Sequence, residues 1–198
     1  SLAARQGILP DVTRSVVDMI NAGIVERTDD RESGARGEPA YRVTRLGRVA
    51  ARQMLFPETV IVLKRVADLK EPLTVFDLLL TVAATEDCEP LIPVDFEEVE
   101  ALAQMLAAEP SQLLARSGRL VASMLACHGR RLLTALKTAL LMRAWSLCGS
   151  HDEVADSFGC YPFEIRRLQE SFGRILPAFR AVAGGEGKRA HTGVQPFV

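Results

Sequence analysis

Helix-start signals recur along the chain from residue 57 onward and leave little room for strands. Pro57 and Pro162 each stand at the head of an apolar pattern with helical spacing, and proline is favoured in the first turn of a helix. Thr74 and Ser150 are each followed three positions later by an acidic residue, which is the pattern of a capping box. The sequence therefore predicts an all-helical region over residues 69–183.

The first third of the chain has a different pattern. Two short β-like runs, "GIVERT" and "PAYRVT", are joined by a polar, glycine-bearing stretch that is typical of a hairpin tip. An amphipathic helix pattern over 10–22 precedes them, with Gly23 just after its end. A second helix pattern follows, with Thr44 as the expected N-cap. This order predicts a small α+β domain of the winged-helix type over residues 1–68.

We therefore predict a mainly α protein with a winged-helix domain, a helical bundle and a flexible tail or linker over residues 184–198. No run of eighteen apolar residues predicts a membrane span, and the first residues lack the apolar core of a signal peptide. The four cysteines have no framework spacing. They are expected to be reduced thiols of a cytosolic protein.

Charge is segregated along the sequence, although the net charge is only −1. The formal charge is +3 over residues 1–70, −10 over 71–110 and +6 over 111–198. Basic ends suit a polyanion, and the acidic middle segment suits solvent or a protein partner. Arginine strongly outnumbers lysine, and its planar fork suits phosphates and base edges, although a GC-rich genome also enriches arginine.

No catalytic or metal-binding motif is evident in the sequence. The "GGEGKR" stretch has Val182 where a phosphate-binding loop requires glycine. Cys148, His151 and Cys160 could be zinc ligands, but a fourth ligand is not obvious, so we interpret them as ordinary cysteines and a histidine. An enzyme acting alone is therefore the least favoured class of function.

Arginines at the head of the last helix are the best candidates for binding. The helix before it ends at Gly159, and the two helices have the form of a helix-turn-helix, whose second helix can contact nucleic acid. Arg166 and Arg167 lie in its first turns, and Arg174 follows Arg167 by two helical turns. Such arginines stack on bases or hold phosphates. The alternative is that they are solvated or pair with nearby glutamates.

Three stretches of the chain resemble the C-terminal region of Ski-like superfamily-two helicases, closest to DNA repair helicases of the HelQ, PolQ and archaeal type. The resemblance extends from about residue 10 to residue 180. The matching residues are Thr44, Leu46, Gly47 and Pro57, the triplet Lys137, Thr138 and Ala139, then Trp145, Pro162, Arg166 and Arg167. A leucine-rich helix leading to an acidic turn, "TVFDLLLTVAATEDCEPL", is similar as well.

This resemblance implies a winged helix followed by a ratchet domain, whose long helix touches single-stranded DNA as motor domains pull it. Arg167 takes the place of the family's base-contacting arginine. Arg174 stands where the family has a tryptophan, which weakens apolar stacking. Trp145 belongs to another motif and is expected in the core.

The same resemblance implies that motor domains, with their ATP and Mg, precede residue 1 in the same polypeptide. No cofactor is expected in this chain itself. The expected partner is single-stranded DNA, with RNA as an option, and no membrane is involved. The expected location is the cytoplasm, with the nucleoid, or the nucleus.

Two other classes of function remain open from the sequence. A stand-alone winged-helix transcription regulator would read duplex DNA through Arg14 and the stretch "RESGAR", with the helical part serving for dimerisation or sensing. A pure interaction module would dock a partner on the acidic segment 71–110.

Overall fold

A computed structural model describes residues 14–28, 40–69, 72–107, 130–148 and 150–184. These residues are mainly helical, with one small antiparallel sheet of two strands. In chain order the elements are α1 (14–21), β1 (Val25–Thr28), β2 (Ala40–Val43), α2 (Arg45–Gln53), α3 (Pro57–Ala67), α4 (Val75–Ala83), a 3₁₀ turn (Phe96–Glu98), α5 (Val99–Ala107), α6 (Arg130–Cys148), α7 (His151–Phe158) and α8 (Pro162–Ala183). The prediction of a mainly α chain with a small β element is confirmed.

The predicted helix starts are confirmed where the structure describes them. Thr74 forms a full capping box, in which its hydroxyl accepts from the Asp77 amide at 3.1 Å and its own amide donates to the Asp77 carboxylate at 2.7 Å. The Ser150 hydroxyl accepts from the Glu153 amide at 3.3 Å, and Gly159 ends α7 in the left-handed conformation. Glu153 makes no return bond to the Ser150 amide, so only half of that predicted box forms.

Several predicted features lie outside the described residues. These are the start of the first helix near Pro10, the hairpin tip, the helix expected from about residue 110, the beginning of the helix expected at 119–147, and the tail from residue 185 onward. Within the described ranges, no helix combines the length and the apolarity needed to cross a membrane.

The two-stranded sheet is tied closely to α2. β1 and β2 pair antiparallel, with Val25 opposite Val43. The Thr44 amide donates to the Ile24 carbonyl at 3.0 Å, and the Thr44 hydroxyl donates to the Gly23 carbonyl at 2.6 Å while it accepts from the Gly47 amide at 3.2 Å. Thr44 therefore closes the hairpin and caps α2 at once, which brings the first turn of that helix against the Ile24 carbonyl.

α8 is the centre of the packing. It contacts α2, α3, α4, α6 and α7. Its buried side chains recur every three or four residues, as one helical face requires. They are Ile165, Leu168, Ser171, Phe172, Ile175 and Ala178. One hydrophobic core runs from Ala50 and Leu63 to Ile175, so it is continuous across the domain boundary predicted at residues 68 and 69.

The Lys137–Thr138–Ala139 triplet joins α6 to the segment between α4 and α5. Lys137 is buried, and its ammonium donates to the Glu98 carboxylate at 2.7 Å. The Thr138 hydroxyl accepts from the Ile92 amide at 3.0 Å, and Ala139 is fully buried in the core. The triplet therefore has a structural role in the packing of the bundle.

We expect Gly47→Ala to destabilise the protein by about 1–3 kcal/mol. A Cβ at Gly47 would lie 2.3 Å from the Ile24 carbonyl oxygen, which the Thr44 amide holds in place by a 3.0 Å hydrogen bond. Gly173→Ala, in the open middle of α8 with no atom within 4 Å of the added Cβ, is the matched control. It should stabilise by about 0.5–1 kcal/mol, because alanine is the better helix former. Denaturant unfolding measures both, and equal changes would contradict the close approach.

We expect Glu98→Gln to destabilise by about 1–3 kcal/mol, because it leaves the buried Lys137 ammonium without its carboxylate, while partial exposure of Glu98 reduces the cost. Burial by itself would raise the pKa of Glu98, but bonds from Lys137 and from the Asp95 amide hold the pKa below its ordinary value of 4.5. The ionised carboxylate therefore stabilises the fold above about pH 4.5, and this contribution is lost as the pH falls through the lower folded-state pKa.

Acid titration of stability in wild type and Glu98→Gln checks this linkage. The variant should lose less stability than the wild type between pH 5 and about pH 3. Identical acid profiles would show that Glu98 carries none of the dependence.

Candidate nucleic-acid interface

The three predicted arginines occupy two lines along α8. Arg167 and Arg174 are seven residues apart and therefore lie on one face, whereas Arg166 is rotated by about 100° from Arg167. Arg166 and Arg167 are exposed, and Arg174 is partly buried. Among the described residues neither Glu164 nor Glu170 pairs with these arginines, and the Glu164 carboxylate accepts from the Tyr161 amide at 2.8 Å. Exposed Arg166 and Arg167 therefore match the solvated alternative.

Arg167 and Arg174 line an open cleft of about 640 Å³. One wall is α8, a second is the turn after α4, and a third is the short link between α2 and α3. The lining residues are Met54, Phe56, Glu86, Asp87, Glu89, Arg167, Glu170, Ser171 and Arg174. The last helix and the end of the predicted winged-helix unit therefore share one groove.

Arg174 is held against the wall of this cleft. Its Nη2 donates to the Asp87 carbonyl at 3.1 Å and lies 3.7 Å from the Asp87 carboxylate. The arginine side chain keeps 36% of its surface exposed, whereas the Asp87 side chain keeps 4%. Arg174 is therefore an anchored cation with one open side, which differs from the free side chain that the sequence suggested.

Asp87 connects three parts of the structure. Its Oδ2 accepts from the Phe56 amide at 2.8 Å, and Phe56 is the N-cap residue of α3 with no side-chain cap of its own. Asp87, which is 31 residues away in the sequence, thus supplies the hydrogen-bond acceptor that the start of a helix requires. Beside it, the Ser171 hydroxyl of α8 donates to the Glu89 carbonyl at 2.8 Å. The link between α2 and α3, the turn after α4 and α8 are fixed together at this point.

Carboxylates outnumber guanidinium groups in the cleft, four to two. Glu86 is neutralised by an ion pair with Arg131 at 2.7 Å. Among the described residues, Glu89 and Glu170 form no ion pair, and Arg167 forms neither an ion pair nor a hydrogen bond. A phosphate in this cleft would face those two carboxylates. An uncharged group with a flat face would not meet that repulsion.

The mouth of the cleft carries exposed apolar side chains beside the free arginine. Met54 adopts a positive φ of 50° at the end of α2 and is largely exposed, as is Phe56. Aromatic rings and guanidinium planes are both surfaces on which a nucleobase stacks. Carboxylates and the Ser171 hydroxyl provide hydrogen-bond partners for base edges. The cleft therefore offers flat and hydrogen-bonding surfaces, and its unpaired carboxylates disfavour an anion.

The described cysteines and Trp145 do not line the cleft. Burial, with Glu89 nearby, raises the pKa of Cys88 behind the cleft wall to about 12, so this thiol is a poor nucleophile. Cys148 is exposed at the end of α6, and burial raises the pKa of Cys160. Trp145 packs against the core, with its ring centroid 5.9 Å from that of His151. In the described part of the chain, no group of three or more metal-ligating side chains comes together.

Sequence reasoning missed the walls that complete the cleft. The sequence does not distinguish Asp87 from the other carboxylates of the segment 71–110, and it assigns no role to Met54 or Phe56. A signal for Asp87 did exist, since α3 begins at Phe56-Pro57 without a Ser, Thr, Asp or Asn cap and needs an acceptor from elsewhere. The sequence does not say which distant residue provides it.

We expect Asp87→Ala to destabilise the protein by about 2–3 kcal/mol, because it removes the acceptor of the Phe56 amide and the charge facing Arg174. Asp87→Asn keeps an acceptor but loses the charge, so its effect should be smaller. Glu170→Ala is the control in the same cleft and should stay within about 0.5 kcal/mol of wild type. Denaturant unfolding gives all three values, and an Asp87→Ala effect as small as that of Glu170→Ala would contradict the connecting role.

Comparison of the chain with protein-family models and with curated proteins finds no match in either.

Proposed function

We propose that this chain is an accessory nucleic-acid-binding module of an ATP-dependent superfamily-two DNA helicase. In this proposal, residues 1–68 form a winged-helix domain and residues 69–183 a ratchet-like bundle. Single-stranded DNA passes along α8 and is guided there as the duplex is unwound. The strand itself is supplied and moved by motor domains of the same polypeptide, which would bind ATP and Mg. This chain binds and guides the strand. It acts in the compartment that holds the DNA, which is the cytoplasm or the nucleus.

One observation carries the proposal. Arg167 and Arg174, the two residues that the helicase resemblance selects, line one open cleft together with Met54 and Phe56 at the end of the proposed winged helix. A ratchet helix requires such a groove, because a strand must be held between the helix and a second surface. Two arginines on a closed or isolated face of the bundle would not support this function.

The charges of the cleft suggest how the strand lies in it. Because Glu89 and Glu170 disfavour phosphates, we place a base in the cleft, with its face on the Arg167 guanidinium. The phosphates then lie outside the cleft, where exposed Arg166 offers a charge-assisted contact. Arg174 limits the depth to which a base enters, since its guanidinium is anchored on Asp87.

We expect Arg167→Ala and Arg166→Ala to weaken binding of single-stranded DNA in different ways. Loss of a stacking arginine should lower affinity about five- to ten-fold at every salt concentration, with the slope of log K against log salt unchanged. Loss of a phosphate contact at Arg166 should reduce that slope by about 0.7. Fluorescence anisotropy of a labelled oligonucleotide over a series of salt concentrations measures both quantities.

Arg65→Ala, which removes an exposed arginine in the last turn of α3, is the matched control and should change neither quantity. Affinity that is unaltered by Arg167→Ala would remove the central support for the proposal. Tighter and sequence-dependent binding of duplex DNA, with a dimeric protein, would favour the transcription-regulator alternative.

A further inference from the structure

Two aromatic side chains lie open to solvent at the N-terminal end of α8. Tyr161 is 68% exposed and Phe163 is 58% exposed. Their ring centroids are 5.8 Å apart and their planes differ by 18°, so the two rings are nearly parallel. Covering large aromatic rings removes apolar surface from water and lowers the free energy, and such rings prefer flat partners in a stacked geometry.

The backbone beneath these rings is rigid. Pro162 lies between them at the first position of α8, where its fixed φ suits a helix start. The Glu164 carboxylate accepts from the Tyr161 amide at 2.8 Å, and the Glu164 amide donates to the Tyr161 carbonyl at 2.9 Å, so two hydrogen bonds hold this turn. Ile165 follows and is fully buried in the core. A partner that covers the rings would therefore meet a surface that is already ordered, which lowers the entropic cost of binding.

Phe163 of the aromatic pair continues the line of the cleft arginines. Phe163 precedes Arg167 by four residues and Arg174 by eleven. At 3.6 residues per turn, the three side chains lie within about 40° of one another around the axis of α8. The corresponding rises are about 6 Å and about 16 Å, which is a length over which several nucleotides fit. Phe163 is therefore one turn beyond the end of the cleft, on the same side of the helix.

We propose that Tyr161 and Phe163 form a stacking platform for a base of the same single strand, next to the base held in the cleft. This inference rests on the proposed function. The base-stacking surface is sequence-tolerant, since every base has a π-face, and the neighbouring Arg166 holds the phosphate of that nucleotide. The strand thus contacts the aromatic platform at one end of this face and Arg167 and then Arg174 further along α8.

The chemistry along this face favours a nucleotide over an apolar protein surface. The exposed neighbours of the rings on α8 are Arg166, Arg167 and Glu170. An apolar partner that covered the rings would have to desolvate these charges without pairing them. A nucleotide presents a flat ring and a phosphate side by side, which matches an aromatic pair followed by guanidinium groups.

The test compares two labelled probes of about twelve nucleotides, oligodeoxythymidine and an abasic strand of the same length. The protein is used as the full chain, as wild type and as Tyr161→Ala/Phe163→Ala. Both positions are exposed, and thermal unfolding verifies that the variant is folded. We expect the double variant to bind oligodeoxythymidine about ten-fold more weakly and the abasic strand with unchanged affinity. Phe163→Trp, which keeps an aromatic face, should bind at least as well as wild type.

The results distinguish a failure of the aromatic platform from a failure of the proposed function. Unchanged affinity of the double variant for oligodeoxythymidine would overturn the platform and leave the proposed function intact. Equal losses of affinity for both probes would also overturn the platform, because the rings would then support contacts to the DNA backbone and not base stacking. If the wild type bound neither probe, the proposed function itself would fail, and the platform with it.

Discussion

The Asp87 carboxylate is the contact on which the candidate site depends. It accepts a hydrogen bond from the Phe56 amide at the start of α3 and faces Arg174 of α8. The guanidinium of Arg174 also donates to the backbone carbonyl of Asp87. Because the carboxylate is nearly fully buried, both contacts are strengthened by the low local dielectric, and losing either partner is costly. Without this contact, the cleft would lose the alignment of its three walls, although the hydrophobic core around α8 would remain.

The same contact is one of three described ion pairs that join the acidic segment to the basic segment after it. Carboxylates of the acidic segment 71–110 meet basic side chains of the following segment in pairs such as Asp87 with Arg174 and Glu98 with Lys137. Opposite charges on separate stretches therefore join α6 and α8 to the segment between α4 and α5. Part of the acidic run is used inside the fold, and this weakens the case for the whole segment as a docking surface for another protein.

How far the sequence predicts this structure depends on the range of each interaction. Starts of helices such as α4 and α8 follow from residues within three positions, namely a Thr74 cap and a proline at the first turn, so they were predicted correctly. The two strands were predicted for the same reason. The third wall of the cleft was not, because the Asp87–Phe56 bond joins residues 31 positions apart and no local pattern encodes it. Nor does helical spacing reveal that Arg174 is anchored on Asp87 whereas Arg167 has no bonded partner among the described residues.

That difference between the two arginines has a mechanistic consequence within the proposed function. A guanidinium that is already bonded to the wall cannot follow a moving strand, so Arg174 acts as a fixed floor, and Arg167 is the side chain able to change rotamer as each base passes. Fixed and mobile contacts on one helix suit guidance, because a strand gripped equally at both positions would resist the motor domains. The excess of carboxylates acts in the same direction, since it keeps phosphates from settling in the cleft and leaves the hold on each base weak enough to be released.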